Sequence, residues 1–268
     1  MDTNKMCEAN RIAWNEAVPI LNKNSNINIK ELIKNNDYYF LDKAEIKKFK
    51  DLSLANKNIA QLCCNNGREV ISLVKLGASL GVGFDISDEA IAEAKELAQL
   101  AKMNCIFERT NVYDISEKYN NFFDIVYFSA GCFNWIEDLN KLFKVVSRIL
   151  KSHGKLVIYE MHPVANMFMS YDDARFSDDE SNRVYNNYFN NKPHEHNKGI
   201  DYISNSVYKS STMYEFQHTL SDIINNVIRN GIVLISFDEF KNDVSAVFRQ
   251  LEKKENVPLS FMLIGEKQ

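Results

Sequence analysis

A short turn early in the chain combines residues that are typical of a cofactor-binding site. A buried run at 59–64 is typical of a strand, and Cys63, Asn65 and Gly67 occupy its end. Gly and Asn are the residues that best tolerate a left-handed backbone, which lets main-chain amides approach a ligand closely. Asp85 ends a second strand, where an acid binds ribose hydroxyls in sheets of this kind. The pattern indicates a nucleoside-containing cofactor.

The same turn restricts the class of cofactor. No G-x-G-x-x-G motif follows the first strand, and the turn keeps a single glycine, Gly67. A pyrophosphate needs several close amides with glycine at each approach, so a dinucleotide is disfavoured. A nicotinamide-dependent oxidoreductase is therefore the less favoured alternative to an enzyme whose cofactor carries no phosphate.

The strands and helices that position these residues are predicted from an alternating sequence pattern. Short apolar runs separated by periodic helical segments predict βαβ units, a parallel sheet and helices on both of its faces. We expect an α/β fold with a doubly wound, seven-stranded, mostly parallel sheet. The predicted strands are 59–64, 80–85, 105–108, 123–128, 155–160, 231–238 and 259–264.

One domain with added cap elements fits a length of 268 residues. Residues 1–55 predict N-terminal helical cap elements, and 56–268 predict the α/β domain. An insertion at about 163–215 is polar and aromatic, and a stretch of that length is uncommon unless it is functional or has structure of its own. Within it, 201–215 predicts a hairpin or an edge strand. Its tyrosines form either a pocket wall over an organic acceptor or a small core of the cap.

Composition excludes several classes of partner. The net charge of −4 gives no nucleic-acid footprint, and no apolar run approaches the ~18 residues of a membrane span. The N-terminus has no apolar core of a signal peptide. Five cysteines without a CxxC pair predict free thiols in a reducing compartment. We therefore expect a cytoplasmic protein with neither nucleic-acid nor membrane partners.

Candidate catalytic groups follow the fifth predicted strand. His162 stands two residues after Glu160, so both lie on one side of an extended chain, where the carboxylate could fix the imidazole tautomer. Alternatively, Glu160 caps a helix or forms an ion pair, and His162-Pro163 ends the strand. His218, near the start of a helix, is a second candidate.

His194-Glu195-His196 could suggest a metal site. We expect the two imidazoles to project to opposite sides of a polar, solvated loop, so no metal site is predicted.

Several ordered motifs carry a family resemblance. The N-terminal helix has Asn10-Arg11-Ile12-Ala13-Trp14-Asn15, the turn has Cys64-Asn65-Asn66-Gly67, and the fifth strand leads into Glu160-Met161-His162-Pro163. In this order the chain resembles the class I S-adenosylmethionine-dependent methyltransferases, which have a Rossmann-like fold, and most of all a bacterial small-molecule branch. The likeness extends from about residue 10 to the end of the chain.

The resemblance implies a cofactor, S-adenosylmethionine, and a role for each matching residue. The implied contacts are Cys63, Asn65 and Gly67 with the amino-acid part, Asp85 with the ribose, Ile86, Asn111 and Val112 with adenine, Ser129 beside the methionine moiety, and Trp14 closing over the cofactor.

The implied reaction is in-line methyl transfer to oxygen, nitrogen or sulfur of a small-molecule acceptor. The chain departs from the family pattern, because one glycine remains in the Gly-x-Gly-x-Gly turn, Gln61 replaces an acid and Asn111 replaces Asp. A non-catalytic protein that binds S-adenosylmethionine or S-adenosylhomocysteine is therefore the alternative.

Overall fold

A computed structural model of the protein describes residues 3–171, 173, 176–180, 182–204 and 206–268. Within these ranges the α-helices are α1 (Thr3–Asn24), α2 (Ile29–Leu32), α3 (Lys43–Asp51), α4 (Arg68–Lys75), α5 (Asp88–Ala101), α6 (Leu139–Ile149), α7 (Leu220–Arg229) and α8 (Arg249–Glu252). The strands are β1 (Asn58–Leu62), β2 (Leu80–Asp85), β3 (Cys105–Arg109), β4 (Phe123–Phe128), β5 (Leu150–Met161), β6 (His194–His196), β7 (Met213–Glu215), β8 (Ile232–Phe240) and β9 (Ser260–Lys267).

Seven strands form one sheet in the order β3-β2-β1-β4-β5-β9-β8. The strands from β3 to β5 are parallel to their neighbours, and β9 runs antiparallel to both β5 and β8. The predicted doubly wound, mostly parallel sheet is thereby confirmed. The direction of winding reverses between β1 and β4, and ligands bind at the carboxyl ends of the strands that flank such a reversal.

Helices cover both faces of the sheet because each strand buries side chains on both sides. Alternate residues such as Leu62 and Phe128 pack in a cluster with Phe143 of α6 and Val227 of α7. The residues between them, such as Tyr127, pack on the opposite face with α3 and α4. This arrangement of helix, sheet and helix leaves the carboxyl ends of the strands free for a site.

Local sequence signals set where the helices near the site begin. Ser87 caps α5 by accepting a hydrogen bond from the Ala90 amide, and Asp88 and Glu89 stand in the first turn. The Ser87 hydroxyl oxygen satisfies a backbone amide that has no partner within the helix, and the two acids interact favourably with the helix dipole. Both features favour a helix N-terminus at this place. α4 begins directly after Gly67, whose φ of 70° places it in the left-handed region.

The insertion has a small sheet of its own. β6 and β7 pair antiparallel, with His194 opposite Glu215, and this two-stranded sheet is separate from the main one. Of the two alternatives for 201–215, the hairpin was therefore wrong and the edge strand was right for Met213–Glu215, because only β7 comes from that segment and its partner lies upstream. Asn10 of α1 exchanges two hydrogen bonds with the backbone of Tyr214, which fastens the N-terminal helix to the insertion.

Among the described residues, no helix combines the length and apolar character that crossing a membrane requires. In the same ranges, no group of three or more His, Cys, Asp or Glu side chains is arranged to hold a metal ion.

Gly83 in β2 provides a test of the packing beneath the site. A Cβ at this position would lie 2.5 Å from the Phe107 ring and 2.7 Å from the Cys64 sulfur, both of which are buried. We expect Gly83→Ala to lower the free energy of unfolding by about 1–3 kcal/mol, as overpacking does in other cores. Urea denaturation measures this change. Glu117→Ala, at an exposed position, serves as the control and should change stability by less than about 0.5 kcal/mol; an equal effect of the two variants would contradict the packing.

Candidate active site

The turn after β1 holds an uncommon backbone conformation. Cys63, Asn65 and Gly67 all have positive φ values, of 56°, 48° and 70°. A left-handed conformation costs an L-residue roughly 1–2 kcal/mol, a cost that glycine avoids. The chain thus keeps the conformation of a turn with three glycines although only one is present.

Gly67 is the position in this turn where glycine is required for space. A Cβ there would lie 2.3 Å from the Phe107 ring, which is buried beneath the turn. Cys63 and Asn65 instead line the cavity described below, where the side chain of Cys63 contacts Cys132 and that of Asn65 contacts Tyr202. This difference explains why one glycine suffices.

Asp85 fixes the turn to the start of α5. Its Oδ2 accepts a hydrogen bond from the Asn65 amide at 2.8 Å, and its Oδ1 accepts one from the Ser87 amide at 2.9 Å. Burial raises the pKa of Asp85, and the amide donors oppose that rise. A carboxylate has about four lone-pair sites, and the amides of Asn65, Ser87 and Ile86 occupy three of them, so Asp85 can still accept a hydroxyl donor from a ligand.

A single cavity of about 1250 Å³ extends from this turn under the insertion. Every residue predicted to contact the cofactor lines it except Gly67, which lies beneath the turn. The lining members of the prediction are Trp14, Cys63, Asn65, Asp85, Ile86, Asn111, Val112 and Ser129. The structure therefore brings the sequence-predicted residues together in one place, while their individual contacts with a cofactor stay predictions.

α1 closes one side of this cavity. Trp14 packs edge-to-face on Trp135, with ring centroids 5.2 Å apart, and both rings line the cavity. Arg11 forms an ion pair with Asp88 at the start of α5, and Asn15 donates to the same carboxylate. The Asn-Arg-x-x-Trp-Asn motif thus joins α1 to the cofactor end of the sheet.

Three cysteine thiols also line the cavity, namely Cys7, Cys63 and Cys132. All five cysteines of the chain are free, as predicted. Burial raises the pKa of the Cys7 and Cys132 thiols, so both stay protonated near neutral pH. In that state they are weak nucleophiles and act as small apolar side chains.

Sequence reasoning missed a group of carboxylates on the other side of Ser129. Gln61, which is fully buried, donates from Nε2 to Ser129 Oγ at 2.9 Å and to Glu69 Oε2 at 3.2 Å. Asp42 and Glu45 of the α3 N-terminus line the same part of the cavity. Glu69, Asp42 and Glu45 are named the acidic wall below.

Two tyrosines support the acidic wall from the sheet. Tyr127 of β4 donates its hydroxyl proton to Glu45, and Tyr159 of β5 donates to Asp42. Asp42 and Glu45 also form the capping box of α3, each accepting the other's backbone amide. The pattern Asp-x-x-Glu before a helix predicts a cap from the sequence alone. That Asp42 and Glu45 lie close to β1, however, follows only from tertiary packing.

The predicted catalytic pair lies outside the cavity lining. Glu160 is buried and accepts hydrogen bonds from the amides of Gly131, Cys132, Phe133 and Met161, at 2.5–3.1 Å. Its carboxylate holds the loop after β4, and burial raises its pKa. These contacts with backbone amides agree better with the alternative in which Glu160 acts as a cap than with a catalytic role.

His162 has partners other than the one expected. Its Nδ1 accepts from the Val164 amide at 3.2 Å, and its Nε2 lies 3.1 Å from Glu239 of β8. The carboxylate beside the imidazole is therefore Glu239 instead of Glu160. Burial lowers the pKa of His162, which favours the neutral ring. Catalysis by either Glu160 or His162 stays a prediction from the sequence.

The remaining histidines occupy different places. His218 Nε2 lies 2.6 Å from the Ile136 carbonyl oxygen, at the edge of the site. His194 and His196 are part of β6, with ring centroids 5.1 Å apart, and both line the cavity. The expectation that they project to opposite sides of a loop was wrong, because residues two apart in a strand share a face.

Comparison with known proteins identifies the family. A family model described as a methyltransferase domain matches residues 53–202. The chain belongs to this methyltransferase family. The class I S-adenosylmethionine-dependent methyltransferase fold that the sequence predicted is thereby confirmed.

Solved structures agree with this fold. An S-adenosylmethionine-dependent methyltransferase from Mesorhizobium loti is 20% identical, with a TM-score of 0.62 over 84% of this chain and 98% of that one. Geranyl diphosphate C-methyltransferase from Streptomyces coelicolor, in complex with Mg²⁺, geranyl-S-thiolodiphosphate and S-adenosylhomocysteine, is 12% identical, with a TM-score of 0.63 over 98% of both chains.

A curated relative is the tRNA U34 carboxymethyltransferase of Helicobacter pylori strain G27, which is 30% identical over 110 residues. The match includes 39% of this chain and 41% of that protein. The chain thus spans about two fifths of the length of this relative.

The backbone of the turn predicts which substitutions residue 65 accepts. Asn65→Gly keeps the left-handed conformation at no steric cost, so we expect the affinity for S-adenosylhomocysteine to stay within threefold of wild type. Asn65→Val places a β-branched residue in that conformation and should weaken binding at least tenfold, because the amide that Asp85 accepts is displaced. Isothermal titration calorimetry measures both; equal affinities for the two variants would contradict the conformation.

Glu45 predicts a pH dependence of stability. Burial, with Asp42 and Glu69 nearby, raises the pKa of Glu45 from 4.5 to about 8, although the Tyr127 hydroxyl opposes the rise. The folded protein therefore keeps a proton that the unfolded chain releases between these values. From this group alone, the free energy of unfolding falls by at most about 1.4 kcal/mol per pH unit as the pH rises from about 5 to 8.

Glu45→Gln removes this contribution because glutamine is neutral throughout. The variant should gain stability relative to wild type as the pH rises from about 5 to 8, as measured by urea denaturation at several pH values. Glu117→Gln, at an exposed position, is the control, and its difference from wild type should be constant. A constant difference for Glu45→Gln as well would show that Glu45 is ionised in the folded protein across this range.

Proposed function

We propose that this methyltransferase transfers a methyl group from S-adenosylmethionine to a small-molecule acceptor. The observation that supports this most is the cavity of about 1250 Å³, whose lining extends from the β1 turn and Asp85 past Ser129 to residues of the insertion. In this proposal one part of the cavity holds the cofactor and the remainder, the acceptor compartment, holds the acceptor. In this proposal residues 1–55 and the insertion at about 163–215 cover the site, and 56–268 form the methyltransferase domain.

The residues at the turn fit the cofactor. Cys63 and Asn65 of the left-handed turn line the cavity, Asp85 keeps a free lone pair for a ribose hydroxyl, and Ile86 and Asn111 line the cavity as candidates to contact adenine. Gly131 lines the cavity with nothing within 4 Å of the place where a Cβ would stand. When bound, S-adenosylmethionine supplies a methyl carbon that its sulfonium sulfur already activates.

The residues of the chain contribute to the reaction by aligning the reacting atoms and by excluding water. An in-line displacement requires the acceptor atom, the methyl carbon and the sulfur to be collinear, which rigid walls on both compartments favour. α1 and the insertion cover the cavity from outside, so the acceptor meets the cofactor in a partly dehydrated space.

Charge supports a small molecule over a nucleic acid as the acceptor. Among the described residues, the acids that line the cavity, apart from Glu45 whose pKa is raised to about 8, are Asp42, Glu69, Asp85, Asp173, Asp201, Glu215, Asp243 and Glu252. The basic residues of the same lining are Arg68, Lys192 and Lys198. Nucleic-acid sites present an excess of Lys and Arg to the phosphates, so a tRNA acceptor, suggested by the Helicobacter relative, is disfavoured.

Calorimetric binding of S-adenosylhomocysteine tests the proposal. We expect the wild type to bind, and Asp85→Ala to bind at least about 100-fold more weakly, since both a charge-assisted hydrogen bond to the ligand and the acceptor that holds the Asn65 amide are lost. Glu117→Ala should bind as the wild type does. If the wild type shows no heat of binding at millimolar ligand, the proposed cofactor site is wrong.

A measurement of turnover distinguishes a methyltransferase from a non-catalytic protein that binds the cofactor. The non-glycine turn favours a second function, a protein that binds the cofactor without catalysis. Mass spectrometry after incubation with S-adenosylmethionine and a broad panel of acceptors should reveal a methylated product. Binding of S-adenosylhomocysteine without any product would support the non-catalytic alternative. His162→Ala should reduce turnover only if His162 takes part in the reaction.

A further inference from the structure

The cavity brings together cysteines from three separate parts of the chain. Cys7 of α1, Cys63 of the turn after β1 and Cys132 of the loop after β4 all line it. The other two cysteines are placed differently, since Cys64 is fully buried and Cys105 lies in β3. Thiol chemistry in the cavity therefore concerns the first three.

Cys63 and Cys132 are in contact with each other. The thiol of Cys63 contacts that of Cys132, and the Cys132 sulfur lies 4.0 Å from the carbonyl oxygen of Leu62, the residue directly before Cys63. Both side chains pack in the same hydrophobic cluster. Cys7 has another partner, because its thiol forms a hydrogen bond with the Asn111 side chain. Cys63 and Cys132 are named the thiol pair below.

The two members of the thiol pair differ in accessibility. Cys63 is partly exposed, whereas Cys132 is only 4% exposed. A small reagent that enters the cavity therefore meets the sulfur of Cys63 first. Burial raises the pKa of the Cys132 thiol, so Cys132 reacts second, and its contact with Cys63 supplies a high local concentration for that step.

The backbone at Cys63 indicates that this thiol has a role. Its φ of 56° is left-handed, a conformation that costs an L-residue roughly 1–2 kcal/mol and that glycine would adopt freely. Strained residues of this kind cluster at functional sites. The chain thus keeps a thiol at a position where glycine would be more stable.

We propose that Cys63 and Cys132 form a site of reversible oxidation, at which hydrogen peroxide converts the thiol pair into a disulfide. A partly exposed thiol next to a second thiol that can resolve it is the arrangement that such oxidation requires. Formation of the disulfide does not depend on the proposed function. Its effect on cofactor binding rests on that function.

The reaction proceeds in two steps. The sulfur of Cys63 attacks one oxygen of hydrogen peroxide, the O–O bond breaks, and the released hydroxide leaves as water with the thiol proton. The sulfur of Cys132 then attacks the sulfenic sulfur of Cys63, the S–O bond breaks, and a second water leaves with the proton of Cys132. Two thiols lose two protons and two electrons in total, and the peroxide is reduced to two waters.

The disulfide acts on the cofactor site by moving the turn. A disulfide bond is about 2 Å long, which is shorter than a non-bonded contact between two sulfurs, so one of the two loops must shift. The loop at 131–133 is fixed by Glu160, whose carboxylate accepts its three amides. The turn is already strained, so we expect the turn to move, together with the Asn65 amide that Asp85 accepts. Cofactor binding is then weakened.

Peptide mapping after treatment with hydrogen peroxide tests the disulfide directly. Complete cleavage by trypsin places the cysteines on the peptides 6–11, 58–68, 103–109 and 119–141. Free thiols are blocked with N-ethylmaleimide before digestion, and mass spectrometry identifies linked peptides. We expect 58–68 to be linked to 119–141 and to be released by dithiothreitol. A link from 58–68 to 6–11 instead, or no linked peptide at millimolar peroxide, would overturn the proposal.

Variants determine which cysteine of peptide 58–68 takes part, because the peptide contains both Cys63 and Cys64. Cys63→Gly should lack the linked peptide, and its fold should be kept because glycine adopts the left-handed conformation without steric cost. Cys132→Ala should also lack it. Cys105→Ala is the matched control and should form the linked peptide as the wild type does. A linked peptide that persists in Cys63→Gly would assign the bond to Cys64 and contradict the thiol pair.

Calorimetry measures the effect on the cofactor site. We expect peroxide to weaken S-adenosylhomocysteine binding by the wild type and by Cys105→Ala at least about tenfold, and dithiothreitol to restore it. Binding by Cys132→Ala should be the same before and after peroxide. Saturating S-adenosylhomocysteine should in turn slow formation of the linked peptide in the wild type, because the coupling is reciprocal. Complete formation of the disulfide with unchanged affinity would overturn its effect on the site.

The two proposals fail in different ways. A reduced wild type that forms the linked peptide on oxidation but does not bind S-adenosylhomocysteine would contradict the proposed function. Normal S-adenosylhomocysteine binding by a protein that forms no linked peptide would contradict only the thiol inference.

Discussion

The hydrogen bonds of Asp85 are the constraint on which the rest of the site depends. One carboxylate holds the amide of Asn65 in the turn after β1 and the amide of Ser87 before α5. The ends of β1 and β2 are thereby fixed relative to each other, next to the point where the sheet reverses its winding. The left-handed residues of the turn are tolerated because this carboxylate, together with the backbone bonds of Cys64, offsets their cost.

α1 extends that constraint to the outer part of the molecule. Its Arg11 and Asn15 contact Asp88 just beyond the same strand end, and its Asn10 contacts the backbone of Tyr214 in the insertion. One helix thus links the cofactor end of the sheet with the cover of the acceptor compartment. A change in the position of α1 would alter both compartments at once.

Much of this architecture could be predicted from the sequence, because local patterns determine it. Apolar runs of strand length, the Ser87 cap and the acid at position 85 specify the sheet and the place of the cofactor. The acidic wall could not be predicted, because Asp42 and Glu69 are 27 positions apart in sequence and meet only when α3 and α4 pack on one face of the sheet. The partners of Glu160 were missed for a related reason, since the amides that it accepts belong to a loop with no periodic pattern.

The four amide bonds of Glu160 have a consequence for the energetics of ligand binding. The loop at 131–133 after β4 is held by a buried carboxylate of the neighbouring strand, independently of any ligand. The conformational entropy of this loop is therefore lost during folding and not during association. A ligand that contacts the loop meets a preorganised wall, so more of its contact energy remains available as affinity.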